Sequence, residues 1–201
     1  MAIDVPTRPA FRTVRWGGLW NTQVFTSPIT ESIQTLGLTG DRWMGQWTFP
    51  PLKDDVQIAD WEAFFMQMEG RAGRFNARVP FRTAPRGPAT GTPLVLGADQ
   101  TGASLITDGW TANVGGILLK GDYFKLANGE LKLITADANS DGVGAATLSI
   151  KPNIRTSPAD DSAITTADPT VEMMQASDEI TWDIDMHGKY RFTLAGIEAF
   201  G

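Results

Sequence analysis

One short segment, residues 56–70, constrains the fold of this chain more than any other stretch. Its sequence is VQIADWEAFFMQMEG, and large apolar residues recur in it at intervals of three and four, the spacing of one helical face. These residues are Ile58, Trp61, Phe64, Phe65 and Met68. We expect a helix from Val56 to Gly70, capped by Asp54 or Asp55 and closed by the glycine. A helix this apolar on one side needs a sheet to pack on.

The composition supports a mainly β fold around that helix. The chain has 201 residues, of which 42% are hydrophobic, and its 21 glycines and 12 prolines provide for many turns. It contains no cysteine, so it has neither a disulfide framework nor a thiol nucleophile. A formal net charge of −6 argues against general nucleic-acid binding. We find no apolar stretch long enough for a membrane span and no signal-peptide pattern at the N-terminus.

Alternating residues predict two strands that flank the helix. In residues 42–49, Trp43, Gly45, Trp47 and Phe49 share one face, and residues 32–38 form the preceding strand of a hairpin that turns at 39–41. After the helix, Phe75, Ala77, Val79 and Phe81 alternate with polar residues. Pro80 makes this second strand an edge strand or a bulged one, because proline cannot donate to a β-ladder.

The composition then changes, and a second domain is indicated. Residues 84–93 and 156–169 are polar linkers rich in proline, glycine or threonine, and short strands lie between them. We expect residues 88–168 to form a small β-barrel inserted into a discontinuous β-sandwich or barrel domain made of residues 1–87 and 169–201. The predicted apolar set of the barrel is Leu94, Leu96, Leu105, Ile117, Leu119, Phe124, Leu126, Leu131, Leu133, Leu148 and Ile150.

The end of the chain predicts an amphipathic hairpin, residues 179–194. Ile180, Trp182, Ile184 and Met186 alternate with Glu179, Thr181, Asp183 and Asp185, so the first set is expected to face the core and the second the opposite side. An isolated hairpin is not stable in water, so we expect it to join the sheet of the first domain.

This layout resembles the distal tail protein family (Dit) of long-tailed phages, particularly the short members with a barrel insertion. Three stretches carry the resemblance: ADWEAFFMQMEGRAGRFNARVP at 59–80, the GDYFKL…LKLIT…ATLSIKPNIR pattern at 121–155, and the closing hairpin at 179–194. The resemblance implies a hexameric ring at the distal end of the tail and an inserted domain with an oligonucleotide/oligosaccharide-binding (OB) fold. The ring would join the tail tube to the baseplate or receptor-binding hub and leave a channel for DNA.

In such a ring, we expect the acidic face of the closing hairpin to line the channel. Glu179, Asp183 and Asp185 are the candidate channel residues, because an acidic wall lets a polyanion slide through. The partners implied are further copies of the chain, the tail tube protein and the hub proteins, with DNA passing unbound and no membrane. The protein would be assembled in the host cytoplasm and end at the tail tip of the virion.

A cluster of arginines after the helix is the candidate subunit interface. Arg71, Arg74, Arg78 and Arg82 have no acidic residue among them, and arginine is favoured at interfaces because it binds carboxylates through two parallel hydrogen bonds. Two alternatives stay open for this cluster, which also includes Arg86: a solvated strand edge guarded by charge and a phosphate-binding stripe.

The sequence favours a protein without catalytic, cofactor or metal residues. His187, the single histidine, lies in a predicted turn with no serine beside it. Residues 137–142, DANSDG, match the start of a calcium loop, but Leu148 stands where the bidentate glutamate belongs, so a hairpin turn is favoured. The alternative function is a carbohydrate- or oligonucleotide-binding β module, in which Trp110, Tyr123 and Phe124 would stack on a ligand. We favour the barrel core for these three residues.

Overall fold

A computed structural model describes residues 2–200. The protein is mainly β with one α-helix among the described residues, as predicted. The first half contains β1 (Ile3–Asp4), β2 (Thr13–Leu19), β3 (Thr22–Thr26), β4 (Ile33–Gly37), β5 (Arg42–Thr48), α1 (Asp55–Met68), β6 (Phe75–Arg78), β7 (Gly91–Val95) and β8 (Gly102–Trp110). The second half contains β9 (Tyr123–Leu126), β10 (Leu131–Ile134), β11 (Ala146–Ile154), β12 (Ile164–Thr165), β13 (Thr170–Gln175), β14 (Asp183–Ile184), β15 (Tyr190–Arg191) and β16 (Thr193–Glu198).

The chain forms two compact units. The first contains residues 2–17, 43–83 and 170–200, and the second contains residues 18–42 and 84–169. The breaks at 83/84 and 169/170 lie close to the boundaries expected from the polar linkers. Residues 18–42 were expected in the first domain. They belong to the second unit instead, because most of their contacts are with it.

The helix is present, with the predicted buried face. Its side chains Ile58, Trp61, Phe64, Phe65 and Met68 are all buried. Asp54 is the N-cap, and its Oδ1 accepts a hydrogen bond of 2.9 Å from the Gln57 N–H. The helix ends two residues earlier than predicted, because Glu69 adopts a left-handed conformation ahead of Gly70, which is also left-handed.

An aromatic cluster holds the helix in the first unit. The Trp61 ring lies 4.2 Å from the Phe49 ring and 6.2 Å from the Phe192 ring, measured between centroids. The Trp61 indole N–H also donates a hydrogen bond of 3.0 Å to the Arg8 carbonyl. The predicted alternation at residues 43–49 is confirmed, since Trp43, Gly45, Trp47 and Phe49 are buried; this adds Trp47 and Phe49 to the same core.

The main sheet of the first unit has six strands in the order β1-β6-β13-β16-β5-β2. Strands β6 and β13 are direct antiparallel neighbours, with Thr170 opposite Arg78 and Met173 opposite Phe75. These two neighbours are separated in sequence by residues 79–169. The second unit's barrel is therefore inserted between two strands that pair as the arms of a hairpin do.

Strand β6 ends earlier than predicted, and it is not an edge strand. It lies between β1 and β13, and it stops at Arg78, two residues before Pro80. Phe81 was expected to continue the buried face, but it has a positive φ of 57° and is 84% exposed. The alternation therefore fails where the backbone leaves the sheet.

The prediction for the closing hairpin is wrong at its core face. Ile184 is 56% exposed and Met186 is 93% exposed, whereas Ile180 and Trp182 are half-buried. Strand β16 already has β13 on one side and β5 on the other, so residues 179–186 cannot pair with it. Only Asp183 and Ile184 form a short ladder, with β15.

The second unit contains a six-stranded, nearly closed sheet in the order β12-β9-β10-β11-β8-β7. Its two ends meet, because Leu94 of β7 forms a bridge with Ala163 and the Val95 N–H donates to the Ser162 carbonyl. The buried face is shifted by one residue at several predicted positions: Val95, Leu118 and Ile134 are buried in place of Leu94, Leu119 and Leu133.

A separate two-stranded hairpin, β3 and β4, lies in the sequence between β2 and β5 of the main sheet. Strand β4 was expected to pair with β5 through the turn at 39–41, but it pairs with β3. All ten residues of β3 and β4 are exposed. Within residues 2–200, no helix has the length and apolar character to cross a membrane.

Candidate functional site

The acidic residues predicted to line a channel lie at the β14–β15 hairpin. Glu179 and Asp183 are exposed, and Asp185 is half-buried at the turn. The Asp185 Oδ1 accepts hydrogen bonds from the Lys189 N–H at 3.0 Å and the His187 N–H at 2.8 Å. The Lys189 N–H first, then the His187 N–H and the charges of Lys189 and Arg191, lower the pKa of Asp185. Asp185 therefore holds its own turn together.

The exposure of the neighbouring apolar residues contradicts the reasoning by which Asp183 and Asp185 were predicted to line a channel. That argument required Ile184 and Met186 to be buried, so that alternation forced Asp183 and Asp185 to the other face. Because both apolar residues are exposed, alternation does not fix the direction of the acids. Their position at a channel stays a prediction.

Two of the interface arginines make hydrogen bonds within the first unit. The Arg71 guanidinium donates to the Ala176 carbonyl at 2.6 Å and 3.2 Å, and its backbone N–H donates to Asp178 Oδ1. The Arg74 Nη1 donates to the carbonyls of Arg71, Ala72 and Gly73. These bonds fix the turn after α1, and they occupy donors that a subunit interface would have used.

The other three arginines have surroundings of their own. Arg78 and Arg82 are exposed in the first unit, whereas Arg86 belongs to the second. Arg86 donates to the Lys120 carbonyl, and its Nε lies 3.5 Å from Asp122 Oδ1. Arginines that are close together in the sequence therefore have separate structural roles. The interface assignment for Arg71, Arg74, Arg78 and Arg82 stays a prediction.

The oxygens of the calcium-like segment bind backbone N–H groups. Asp141 Oδ1 accepts from the N–H groups of Val143 and Ala145, Asn139 Oδ1 from Gly116, and Asp137 Oδ1 from Lys120. These contacts are those of a loop that fastens neighbouring turns. Among residues 2–200, no group of three or more acidic or histidine side chains is arranged to hold a metal ion.

The aromatic residues considered for ligand stacking are mostly inside the barrel. Trp110 is 5% exposed and Phe124 is fully buried, and only Tyr123 is half-buried. The Trp110 indole N–H donates to the Thr107 hydroxyl at 2.8 Å. The expectation that Trp110 and Phe124 are core residues is confirmed. The binding-module alternative therefore loses two of its three stacking side chains.

A buried ion pair in the barrel was not predicted. Lys132 of β10 is fully buried opposite Phe124, and its ammonium donates to Glu130 Oε2 at 2.5 Å and to the Asn153 carbonyl at 2.8 Å. Glu130 also accepts from the N–H groups of Thr156 and Arg155. Burial alone would raise the pKa of Glu130, but the Lys132 hydrogen bond and charge, with those N–H groups, lower it overall.

A second buried carboxylate fastens the start of the barrel. Asp122 is 2% exposed and accepts hydrogen bonds from the backbone N–H groups of Arg86, Gly87 and Leu119 at 2.8–3.1 Å. Burial acts to raise the pKa of Asp122, but these three N–H groups and the Arg86 charge outweigh it and lower the pKa. No local sequence pattern marks such a carboxylate as buried.

A groove beside the helix was also missed. It has a volume of about 760 Å³, is open to solvent and lies between the N-terminal segment, residues 3–8, and one side of α1. Val56, Ala63 and Gln67 line its helical side together with the charged residues Asp54 and Asp60, and Asp4 and Arg8 line the opposite side. No sequence pattern marks it, because its helical lining combines exposed Val56 and Ala63 with charged Asp60 and buried Phe64.

The described geometry offers surfaces for packing and two buried carboxylates, Asp122 and Glu130, that accept hydrogen bonds from backbone N–H groups. His187 is exposed in the β14–β15 turn, where its backbone N–H donates to Asp185. No protein-family model matches the sequence, and no curated protein matches it.

Proposed function

We propose that this protein is a structural component of a phage virion: a distal tail protein that forms a ring at the end of a long tail, with six copies as the resemblance implies. The ring joins the tail tube to the baseplate or receptor-binding hub and leaves a central channel through which DNA passes without being bound. The protein would be assembled in the host cytoplasm and would remain at the tail tip of the finished particle.

The observation that carries this proposal is the way the barrel is inserted. Strands β6 and β13 pair directly, and the barrel occupies the sequence between them. A sheet domain with one packed helix and a small barrel at this point is the layout on which the resemblance to distal tail proteins rests. The paired strands give the inserted barrel two closely spaced attachment points, while the sheet domain remains a complete packing unit.

A ring also requires surfaces that suit head-to-tail contact. Two different patches of each copy must meet, because the same patch meeting itself would close a dimer instead. The first unit carries an open groove beside α1, and residues 18–42 carry an exposed hairpin of different shape. Unlike surfaces on one chain are compatible with a heterologous interface.

Mass measurement of the purified protein tests the proposal. The protein is measured alone and with the tail tube protein of the same phage, by native mass spectrometry and by sedimentation. We expect a closed multimer of defined copy number, formed either alone or on the tube protein. A strict monomer under both conditions would contradict the proposed ring.

The binding-module alternative has a test of its own. We expect no saturable binding of glycans or short oligonucleotides, because Trp110 and Phe124, two of the three candidate stacking side chains, are enclosed. Saturable binding accompanied by a spectral shift, together with a monomeric mass, would favour the alternative.

A further inference from the structure

The segment that follows β6 holds a large aromatic ring at the surface of the first unit. Phe81 has a positive φ of 57°, a conformation that is unfavourable for a bulky residue, and it is 84% exposed. Its ring contacts that of half-buried Phe11 edge-on, at 5.5 Å between centroids. A bulky apolar residue that is exposed in an unfavourable backbone conformation is a candidate contact residue.

Two arginines accompany this aromatic pair. Arg12 and Arg82 directly follow Phe11 and Phe81 in the sequence, and both arginines are exposed. Within residues 2–200, neither guanidinium has a hydrogen-bond or ion-pair partner. Residues 5–30 and 70–98 together contain eight arginines and no acidic residue, so the charge here is positive. We call Phe11, Arg12, Phe81 and Arg82 the Phe81 patch.

The groove beside α1 has the opposite charge. Asp4, Asp54 and Asp60 line it against the single cation of Arg8, which leaves the groove with a net charge of −2. Asp4 and Asp60 are exposed, and their carboxylates have no hydrogen-bond or ion-pair partner in the described part of the chain. The groove therefore offers two free carboxylates to a cationic partner.

Apolar side chains also line the groove. On the helical side Val56 is 70% exposed and Ala63 is exposed as well, while half-buried Val5 and Pro6 lie on the opposite side. The groove is open to solvent and has a volume of about 760 Å³, so an aromatic side chain can enter it. It can therefore take an apolar ring and its neighbouring cations together.

The Phe81 patch and the α1 groove are complementary, and they have no residue in common. Each combines apolar side chains with two unpartnered charges, which are cationic on the patch and anionic in the groove. Complementary charges steer two surfaces together and fix their register, and arginine binds a carboxylate through two parallel hydrogen bonds. A second copy of this chain thus carries the surface that each of them requires. Contact between unlike surfaces of identical copies repeats head to tail.

We propose that the Phe81 patch of one copy docks into the α1 groove of the next copy. The aromatic ring then packs on the apolar part of the groove, and the two guanidinium groups face its free carboxylates. This inference rests on the proposed ring and names the contact between its subunits. Among the arginines predicted at an interface it selects Arg82, and it adds Arg12.

The first test reverses one charge on each surface. Arg82→Glu changes the patch and Asp60→Lys changes the groove; both side chains are exposed, so the fold is kept. Sedimentation over a concentration series, with the tail tube protein added if assembly needs it, should show assembly of each variant weakened at least about tenfold. The melting temperature of the dissociated protein should not change. Lys120→Glu and Glu31→Lys are matched controls at exposed positions of the second unit and should assemble like the wild type.

Combining the two reversals tests whether these two surfaces meet. The double variant Arg82→Glu/Asp60→Lys restores opposite charges at the two positions, so it should assemble better than either single variant. In a mixture of the two single variants, one protein supplies an intact patch and the other an intact groove. The mixture should therefore form pairs and stop there. A double variant weaker than both single variants, or a mixture that stays monomeric, would contradict the contact.

The second test removes the aromatic ring. Phe81→Asn places a residue that tolerates a positive φ, so the melting temperature of the dissociated protein should stay the same or rise. Assembly should weaken at least about tenfold, because the ring is lost from the contact. Val143→Asn is the control, since Val143 is 85% exposed on a barrel loop. Undiminished assembly of Phe81→Asn, or a lowered melting temperature, would show that the ring does not serve the contact as proposed.

The outcomes separate this contact from the proposed ring. A ring that withstands both charge reversals would contradict the contact and leave the ring standing. A wild-type protein that stops at two copies, and is dissociated by either reversal, would support the contact and contradict the ring. A wild-type chain that stays monomeric with and without the tail tube protein would contradict both. Binding of a labelled oligonucleotide that Arg82→Glu abolishes, with assembly unchanged, would assign the patch to nucleic acid and overturn the docking.

Discussion

At the scale of single residues, Trp61 carries the packing of the first unit. Replacing it with alanine removes ring contacts with Phe49, Phe64, Phe65 and Phe192 and the hydrogen bond to Arg8. We expect Trp61→Ala to lower the free energy of unfolding by about 3–5 kcal/mol. Glu62→Ala, on the neighbouring and more exposed position, is the control and should cost little. Chemical denaturation measures both, and a tolerated Trp61→Ala would mean that the helix is not held as described.

The buried ion pair of the barrel should behave as a coupled unit. Lys132→Met leaves the Glu130 carboxylate buried without its cation, and we expect a loss of about 3–5 kcal/mol in barrel stability. Adding Glu130→Gln removes the stranded charge, so the double variant should lose less than the sum of the two single variants. Calorimetry of all four proteins gives the coupling. Additive losses would show that the two side chains act independently.

The lowered pKa of Glu130 predicts how barrel stability depends on pH. A carboxylate with a folded-state pKa below its ordinary value of 4.5 adds stability that is complete above that value. The contribution is lost as the pH falls through the lower folded pKa. Urea unfolding between about pH 3 and pH 7 should therefore show a fall on the acid side that is shallower in Glu130→Gln. An identical acid limb in both proteins would remove Glu130 from this account.

The burial of some single residues could be predicted from the sequence, and that of others could not. The face of α1 could be predicted because Ile58 to Met68 follow a helical period over three turns. Lys132 could not be predicted as buried, because its cation is compensated by Glu130 and by the Asn153 carbonyl, which lies 21 residues away. Patterns report local periodicity, whereas burial of a charge depends on partners that only the fold brings together.

At the scale of elements, the barrel should fold as an isolated fragment if its predicted sequence boundaries are correct. Asp122 accepts the N–H groups of Arg86 and Gly87, which a fragment starting at residue 88 would lack. We therefore expect residues 84–169 to give a dispersed amide NMR spectrum and a higher melting temperature than residues 88–168. Equal stability of the two fragments would show that the Asp122 hydrogen bonds add nothing. A collapsed spectrum for both would contradict an independent barrel.

The strands of the first unit show what limits prediction at this scale. Residues 170–175 have the buried alternation Val171, Met173 and Gln175, but they directly follow the polar linker at 156–169, and no strand was predicted there. Residues 179–186 alternate more clearly and were taken for the strand instead. Alternation identifies segments able to pair, but the available sheet edge decides which of them does. Here β13 and β5 occupy both sides of β16.

At the scale of the whole molecule, the sequence predicted a discontinuous β domain with a helix and an inserted barrel. The insertion between β6 and β13 agrees with that prediction, and the linkers marked it because proline and glycine punctuate the chain there. Residues 18–42 were misplaced, since a hairpin with exposed apolar side chains reads in sequence like part of a core. The open groove beside α1 and the exposed β3–β4 hairpin are surface features, and patterns that predict buried residues do not reveal them.

The most direct measurement of the central claim is an image of the assembled particle. Gold-labelled antibodies raised against the purified protein are applied to intact phage and viewed by negative-stain electron microscopy. The account predicts label at the distal end of the tail, at the junction of tube and hub, and none on the capsid. Label along the tube or on the capsid, or particles that carry none of the protein, would contradict it.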